Sequence, residues 1–257
     1  MVKALVKGFY LKKILEAIKK TTYVMFLASP GSLHMTSVLP DSSTATVSLV
    51  CDIECKTKEM IPVKLELLLA ALNSHKTQLT EEKCILTLET KDNNLLLIVN
   101  DVVKSVPVEK YSPDMFQTSH VDQSKPISPD NSHWLKMPFS EFLRITRELT
   151  AISHLLTITF REGEVELSSR DRMVYGQGVI KACSGPENNQ VYLHPDLKSP
   201  LSQLVSSQPF IIWSKLVSGV FSPGRLQLCV RPDHPPLMIV NTEKCGELRY
   251  YLHYKDD

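Results

Sequence analysis

Apolar and polar residues recur with helical and with strand periods along this chain, and together they predict helices and hairpins in a repeated order. A first helix is predicted over residues 9–20, where apolar side chains fall on one side at helical spacing, namely Leu11, Ile14, Leu15 and Ile18. A similar apolar row recurs 131 residues later, at Phe142, Ile145, Leu149 and Ile152. One such helix in each half of the chain indicates a duplicated domain.

Three more helices and a series of strands complete the predicted order. The helices are predicted at about residues 63–72, over 139–152 and around 209–220. The clearest strand is 45–55, and the others are predicted at 4–6, 23–28, 32–38, 84–90, 95–103, 134–137, 155–161, 164–169, 175–181, 226–230, 237–242 and 248–254. Because hairpins outnumber helices, we predict an α+β fold of two similar domains, each with antiparallel sheets and two helices.

A segment without periodicity separates the two halves. Residues 113–132 are dominated by Asp, Ser, Gln and His and contain three prolines. A connection of about twenty residues is longer than the usual roughly 4 to 6 and is typical of a domain boundary or a functional loop. We therefore predict an N-terminal domain at 1–112, a connector at 113–134 and a C-terminal domain at 135–257.

Positive charge is concentrated on the repeated helices, although the net charge of the chain is only +1. Residues 3–20 hold six lysines against one glutamate, and Arg144 and Arg147 occupy the corresponding helix of the second half. Lysines on an amphipathic helix most often form a solvated face. The recurrence of basic residues on both helices and their few acidic neighbours favour an anionic partner, contacted through phosphates and without base readout.

Neither the cysteines nor the common catalytic motifs indicate an enzyme. Six cysteines at irregular positions are typical of a reducing compartment, and Cys51 and Cys55 lack a second pair at zinc-ligand spacing, which favours ordinary core thiols. The sequence contains no P-loop, G-x-S-x-G, G-x-G-x-x-G or H-E-x-x-H motif. We expect no enzymatic activity, no cofactor and no bound metal. Without a signal-peptide pattern or an apolar run near the roughly 18 residues of a membrane span, we also expect an intracellular protein.

Four segments, in order along both halves, carry a resemblance to a known family. They are residues 8–20, 41–43 (Asp-Ser-Ser) with 47–50 (Val-Ser-Leu-Val), 136–149 (Lys-Met-Pro-x-x-Glu-Phe-x-Arg-Ile-x-Arg-x-Leu), and 236–237 (Pro-Leu) with 246–252 (Gly-Glu-Leu-Arg-Tyr-Tyr-Leu). The chain resembles the proliferating cell nuclear antigen (PCNA) family of DNA sliding clamps over nearly its whole length. Its near-neutral charge departs from the acidic exterior common in that family and suggests a divergent lineage, either cellular or viral.

The resemblance implies a ring, usually of three chains, whose helices line a channel around double-stranded DNA. Such a clamp serves DNA replication and repair as a processivity factor for DNA polymerase, and a clamp loader places it on DNA. It has no catalytic activity, and its expected location is the nucleus, or a viral replication compartment. Two alternatives stay open: a monomeric or dimeric factor that binds DNA on a basic face, and one subunit of a heterotrimeric checkpoint-type clamp.

The resemblance also implies DNA-contacting residues by position. Those in the channel are Lys12, Lys13, Lys19, Lys20, Arg144, Arg147 and Lys215. The second helix departs from the family, because Ala70 and Asn73 stand where the family often has lysines, with Lys64, His75 and Lys76 only at its ends.

Two protein-contact sites are implied in the same way. A pocket for partner peptides is expected at Leu39, Val47, Leu49, Ile127, Pro235, Pro236, Tyr251 and His253, although Val47 and Leu49 also fit an ordinary strand core. Subunit contacts are expected between about residues 105–111 and 174–183 of neighbouring chains, with Tyr111, Tyr175, Val179 and Lys181 as contact residues. Pro107 interrupts the first of these strands.

Overall fold

A computed structural model of the chain describes residues 1–38, 44–49, 51–75, 78–79, 84–112, 128–182, 189–206, 224–232, 234–242, 246–252 and 254–255. Within this part of the chain lie three α-helices: α1 Gly8–Ala17, α2 Leu65–Ser74 and α3 Phe139–Thr150. None of these helices has the length and apolar character needed to cross a membrane. The helix predicted around 209–220 lies outside the described residues.

Antiparallel strands make up most of the described structure. They are β1 Val2–Lys7, β2 Tyr23–Ser29, β3 Ser32–Val38, β4 Thr44–Leu49, β5 Cys51–Cys55, β6 Glu59–Lys64, β7 Ile85–Lys91, β8 Asn94–Val99, β9 Val102–Pro107, β10 His133–Pro138, β11 Leu155–Arg161, β12 Glu164–Arg170, β13 Tyr175–Lys181, β14 Gln190–Tyr192, β15 Leu201–Ser206, β16 Arg225–Val230, β17 Leu237–Thr242, β18 Gly246–Tyr251 and β19 Tyr254–Lys255. Few helices against many antiparallel strands confirm the α+β class, whereas the division into two domains stays a prediction.

The strands form three sheets. The first sheet has the order β5-β1-β7-β8-β9, the central sheet β14-β10-β16-β17-β18-β4-β3-β2-β6, and the third sheet β13-β12-β11-β15-β19. In the central sheet β18 pairs with β4, so that Leu248 lies opposite Val47. Backbone hydrogen bonds therefore join a strand from the end of the chain to one from its beginning.

Three predicted strands are wrong in extent. The strand predicted at 248–254 ends as β18 at Tyr251, and Tyr254 belongs to β19, which pairs with β15 in the third sheet. The single strand predicted at 45–55 is divided between two sheets: β4 pairs with β3 and β18, and β5 pairs with β1. Its alternation continues through both parts, so periodicity does not reveal that the pairing partner changes. The strand predicted at 95–103 is interrupted by a turn at Asn100 and Asp101, whose φ angles of 46° and 64° lie in the left-handed region that short polar side chains tolerate. Strands β6, β14 and β15 were not predicted.

One main core holds the helices on the sheets. The predicted apolar row of α1 is confirmed, since Leu11, Ile14, Leu15 and Ile18 are each at most 1% exposed. On α3, Phe139, Phe142 and Leu149 are buried in the same core. Full burial of an aliphatic or aromatic side chain of this size stabilises the fold by about 1.5–3 kcal/mol. The helices are therefore anchored by their apolar sides, and their polar sides remain outward.

Gly178 allows α3 to approach β13 closely, and this contact gives a testable prediction. A Cβ atom at Gly178 would lie 2.7 Å from Ile145 Cγ2 of α3. Because Ile strongly prefers one χ1 rotamer in a helix, relief of the clash requires an unfavourable rotamer of Ile145 or movement of the helix. Gly178→Ala is expected to lower the free energy of unfolding by about 1–3 kcal/mol, measured by urea denaturation.

Gly224→Ala serves as the matched control for that substitution. Among the described residues other than its chain neighbours, no atom lies within 4 Å of a Cβ atom built at Gly224. Its effect on the free energy of unfolding is expected to stay below about 1 kcal/mol. Equal losses in the two variants would contradict the close packing of α3 on β13.

Candidate nucleic-acid interface

Lys13 carries the exposed positive charge of α1. Its side chain is 43% exposed, its Nζ lies 3.8 Å from a carboxylate oxygen of Glu16, and the same Nζ lies 5.9 Å from the centre of the Phe9 ring. Lys19 and Lys20 are also exposed, but α1 ends at Ala17, so both lie in the turn that follows the helix. The basic surface of this region is thus formed partly by the helix and partly by the turn.

Lys12 does not share that surface, and the expectation that it faces outward is wrong. Lys12 is only 8% exposed, and its Nζ lies 4.0 Å from Glu16. The buried residues of α1 cover about 200° of its circumference, and Lys12 falls at the edge of that arc. Helical spacing alone had placed it with the exposed lysines.

On α3 the exposed residues form one stripe along the helix. Ser140, Arg144, Arg147 and Glu148 are exposed, at spacings that keep them on one side. Arg144 Nη1 donates a hydrogen bond of 3.1 Å to Glu148 Oε1. Lys13 is the sixth residue of α1, and Arg144 is the sixth residue of α3. Each of these helices therefore has a basic side chain at the same position counted from its first residue.

The exposed side of α2 has a different character. Its exposed residues are Glu66, Leu67, Ala70, Asn73 and Ser74. Lys64 precedes the helix, and its Nζ lies 3.5 Å from Glu109. Lys76 and Lys215 lie outside the described residues. Within α2, therefore, no positive charge matches those of α1 and α3.

Two strands predicted to contact neighbouring chains are the outer strands of their sheets. In the described part of the chain, β9 ends the first sheet and β13 ends the third sheet. Both expose apolar side chains: Val102 is 44% exposed, Val103 52%, Tyr175 57% and Val179 42%. Outer strands with exposed apolar side chains are prone to pair with another chain. Lys181 and Tyr111 are exposed as well.

The predicted contact strand 105–111 is wrong beyond Pro107, where β9 ends. Val108 forms an isolated bridge with Val63, and the N–H of Glu109 donates a 2.8 Å hydrogen bond to the carbonyl of Pro62. The N–H of Val108 also donates a 2.9 Å hydrogen bond to the carbonyl of Asn93, the residue before β8. Beyond this bond the chain pairs with β6.

The residues predicted for a partner pocket are distributed over both faces of the central sheet. Val47 is 3% exposed in the main core, and Leu49 packs against the same core, so the strand-core interpretation describes them correctly. Tyr251 belongs to a second apolar cluster, which lies on the opposite face. Pro235 and Pro236 are buried, and Leu39, Ile127 and His253 lie outside the described residues. The structure therefore does not bring Val47 and Leu49 together with Tyr251.

Tyr251 belongs to a row of side chains that runs across neighbouring strands, and most of its members were not predicted as site residues. Direct cross-strand partners connect Tyr251 with Leu237, Leu237 with Cys229, Cys229 with Trp134, and Trp134 with Tyr192. The Trp134 and Tyr192 rings stack with their centres 5.5 Å apart. We call this set the aromatic row. One sequence feature could have indicated this row. The apolar run 228–230 interrupts the alternation of β16, as expected of a strand that is buried on both faces.

The four described cysteines, Cys51, Cys55, Cys84 and Cys229, are free thiols that are half-buried or buried. Burial raises the pKa of the Cys229 thiol to about 12. The hydrogen bond from Ser132 lowers this pKa, but its effect is smaller than that of burial. A thiol with so high a pKa is scarcely ionised at neutral pH and is a poor nucleophile. Burial likewise raises the pKa of Cys51. In the described ranges, no group of three or more His, Cys, Asp or Glu side chains is placed to hold a metal ion.

The described structure is mostly antiparallel sheet, with exposed basic residues on α1 and α3 and exposed apolar side chains on the outer strands. These features are compatible with a clamp-like α+β fold. The chain is 24% identical over 250 residues to the proliferating cell nuclear antigen of Chaetomium thermophilum, in an alignment that covers 94% of this chain and 93% of the relative. No protein-family model matches the chain. The near-complete alignment supports a distant relationship to a PCNA, although the identity is low.

Proposed function

We propose that this protein is a DNA sliding clamp, in which three copies form a ring around duplex DNA. The observation that carries the proposal is the shared design of α1 and α3. In both, apolar side chains bury the helix on a sheet, and the sixth residue, Lys13 or Arg144, presents an exposed positive charge. The distant similarity to a PCNA along nearly the whole chain supports the same conclusion.

In the proposed ring, DNA is held by its phosphates and not by its bases. Lys13, Lys19 and Lys20 together with Arg144 and Arg147 supply flexible positive charges, and the described residues of α1 and α3 that face outward offer no pattern suited to one base sequence. Contacts of this kind are salt-sensitive and equivalent at every position along the duplex. The ring can therefore move along DNA while its closed shape prevents dissociation.

Ring closure is proposed to use the two outer strands. The β9 edge of one chain, with Tyr111 nearby, would meet the β13 edge of the next, with Tyr175, Val179 and Lys181 in contact. Head-to-tail pairing of two different edges gives a ring when the rotation between neighbouring chains closes, and a closed ring leaves neither edge exposed. The proposal retains residues 1–112 and 135–257 as the two domains of each chain.

As a clamp, the protein would act in replication and repair without a catalytic activity of its own. DNA polymerase and other proteins would dock through short peptides near Tyr251, Pro235 and Pro236, a clamp loader would assist assembly on DNA, and the expected location is nuclear. Tyr251 is a half-buried member of the aromatic row, where an apolar peptide side chain would find apolar neighbours.

The topological link between ring and DNA can be tested with linear duplexes whose ends are blocked. A preformed ring threads over free ends, so protein added before blocking is expected to stay bound through a high-salt wash, and protein added after blocking is not. If the order of addition makes no difference, the ring is refuted. That result would favour the alternative of a monomeric or dimeric protein that binds DNA on a basic face.

A further inference from the structure

Each basic helix carries a carboxylate beside its exposed basic residue. On α1, Glu16 lies 3.8 Å from Lys13 and 4.0 Å from Lys12. On α3, Glu148 lies 3.1 Å from Arg144. The side chains of Glu16 and Glu148 are 42% and 66% exposed, so both carboxylates lie on the surface proposed to meet DNA.

Helix stability does not account for these two carboxylates. Glu16 is the second-last residue of α1, and Glu148 is the third-last residue of α3. A negative charge in the last turn interacts unfavourably with the helix dipole. In both helices the basic residue also precedes the acidic one, which is the weaker of the two orders for such pairs. The helix dipole and the order of the pair therefore both reduce the benefit of a carboxylate at these two sites.

We propose that Glu16 and Glu148 compete with DNA phosphates for Lys13 and Arg144, and thereby limit how tightly the protein binds duplex DNA. This inference rests on the proposed function, because it assigns the two carboxylates to the same DNA surface. In the free chain each carboxylate holds its basic partner on the surface. On DNA, a phosphate must displace the carboxylate, which then adds a repulsive charge near the backbone.

The consequence is a phosphate contact that forms and breaks with little net change in free energy. An exposed ion pair of this kind alters an equilibrium by about twofold, so displacing one takes away most of the gain from a single exposed phosphate contact. Weak, exchangeable contacts favour motion along DNA over arrest at one position. Glu16 and Glu148 are therefore positioning residues that tune mobility.

The test compares the Glu16→Gln/Glu148→Gln variant with the wild-type protein in duplex binding measured by fluorescence anisotropy over a series of salt concentrations. We expect binding that is tighter by about three- to fivefold at low salt, and a log–log salt slope steeper by about one to two. Single-molecule tracking is expected to show slower diffusion along DNA. The thermal unfolding midpoint should stay equal or rise slightly, since both carboxylates oppose the helix dipole.

The matched control is Glu54→Gln/Glu162→Gln, which removes the same charge from two exposed residues outside the helices. It should leave the salt slope unchanged. An unchanged salt slope in the Glu16→Gln/Glu148→Gln variant, or an equal change in the control, would overturn the inference. If the wild-type protein still bound DNA in that case, the proposed function would stand. If the wild-type protein fails to bind DNA, both are refuted.

Discussion

Replacing Lys13, Lys20, Arg144 and Arg147 with glutamate is expected to abolish stimulation of a DNA polymerase on primed DNA. Duplex affinity should fall by at least about 100-fold at about 100 mM salt, because four attractive phosphate contacts in each chain become repulsive. All four side chains are exposed or half-exposed, so the loss should come without unfolding. Polymerase extension assays and duplex titrations measure the two effects.

A control variant with the same change in net charge shows whether the loss of DNA binding depends on the position of the substituted residues or on the total charge of the protein. Lys56, Lys58, Lys91 and Lys198 are exposed and lie outside the helices. Their replacement by glutamate should weaken DNA binding only through long-range repulsion, which salt screens over about 10 Å. Both variants should keep the oligomeric state of the wild-type protein. Undiminished stimulation by the helix variant would show that DNA contacts another face.

The second large effect is expected at the outer strands. By size-exclusion chromatography with light scattering, the wild-type protein should have about three times the 29.0 kDa mass of one chain at micromolar concentration. Val103→Asp/Val179→Asp should reduce the mass to that of one chain. Val103 and Val179 are 52% and 42% exposed in the single chain, so the substitutions act on association and not on the core. Burying an unpaired carboxylate in an interface costs several kcal/mol.

Met60→Asp/Ile85→Asp is the matched control for association. Met60 and Ile85 are 48% and 50% exposed and lie outside β9 and β13, in β6 and β7. This variant should remain trimeric. Tyr175 is less suitable for substitution, because its hydroxyl lies 3.3 Å from a carboxylate oxygen of Glu166 and its loss would disturb the chain itself. A wild-type protein that is monomeric at micromolar concentration would refute the preassembled ring.

Most individual strands and three of the helices were predictable, because one side of each is buried and therefore has a readable period. The strand 32–38 agrees with the structure, and α3 differs from its prediction only by ending two residues earlier. The changes of sheet were not predictable. Residues 45–49 and 51–55 share one alternation, yet they pair with different partners.

Among the candidate site residues, some predictions agreed with the structure and others did not. Lys13, Lys19, Lys20, Arg144 and Arg147 are outward, as the amphipathic pattern indicated, whereas Lys12 is buried at the edge of the packed side of α1. The extent of the packed side of a helix depends on neighbours that are distant in sequence. The aromatic row was missed for a similar reason, since its members are far apart in the chain and become neighbours only through strand register.

By itself the sequence determined the α+β class, the amphipathic character of α1 and α3, and the concentration of positive charge on their outward sides. These properties follow from local spacing, because hydrophobic burial selects one face of each element. Only the tertiary structure decided which strands form edges, that Lys12 is covered, and that Val47 and Tyr251 face opposite sides of one sheet. Those outcomes depend on strand pairing and helix contact between distant segments, and local periodicity carries no record of either.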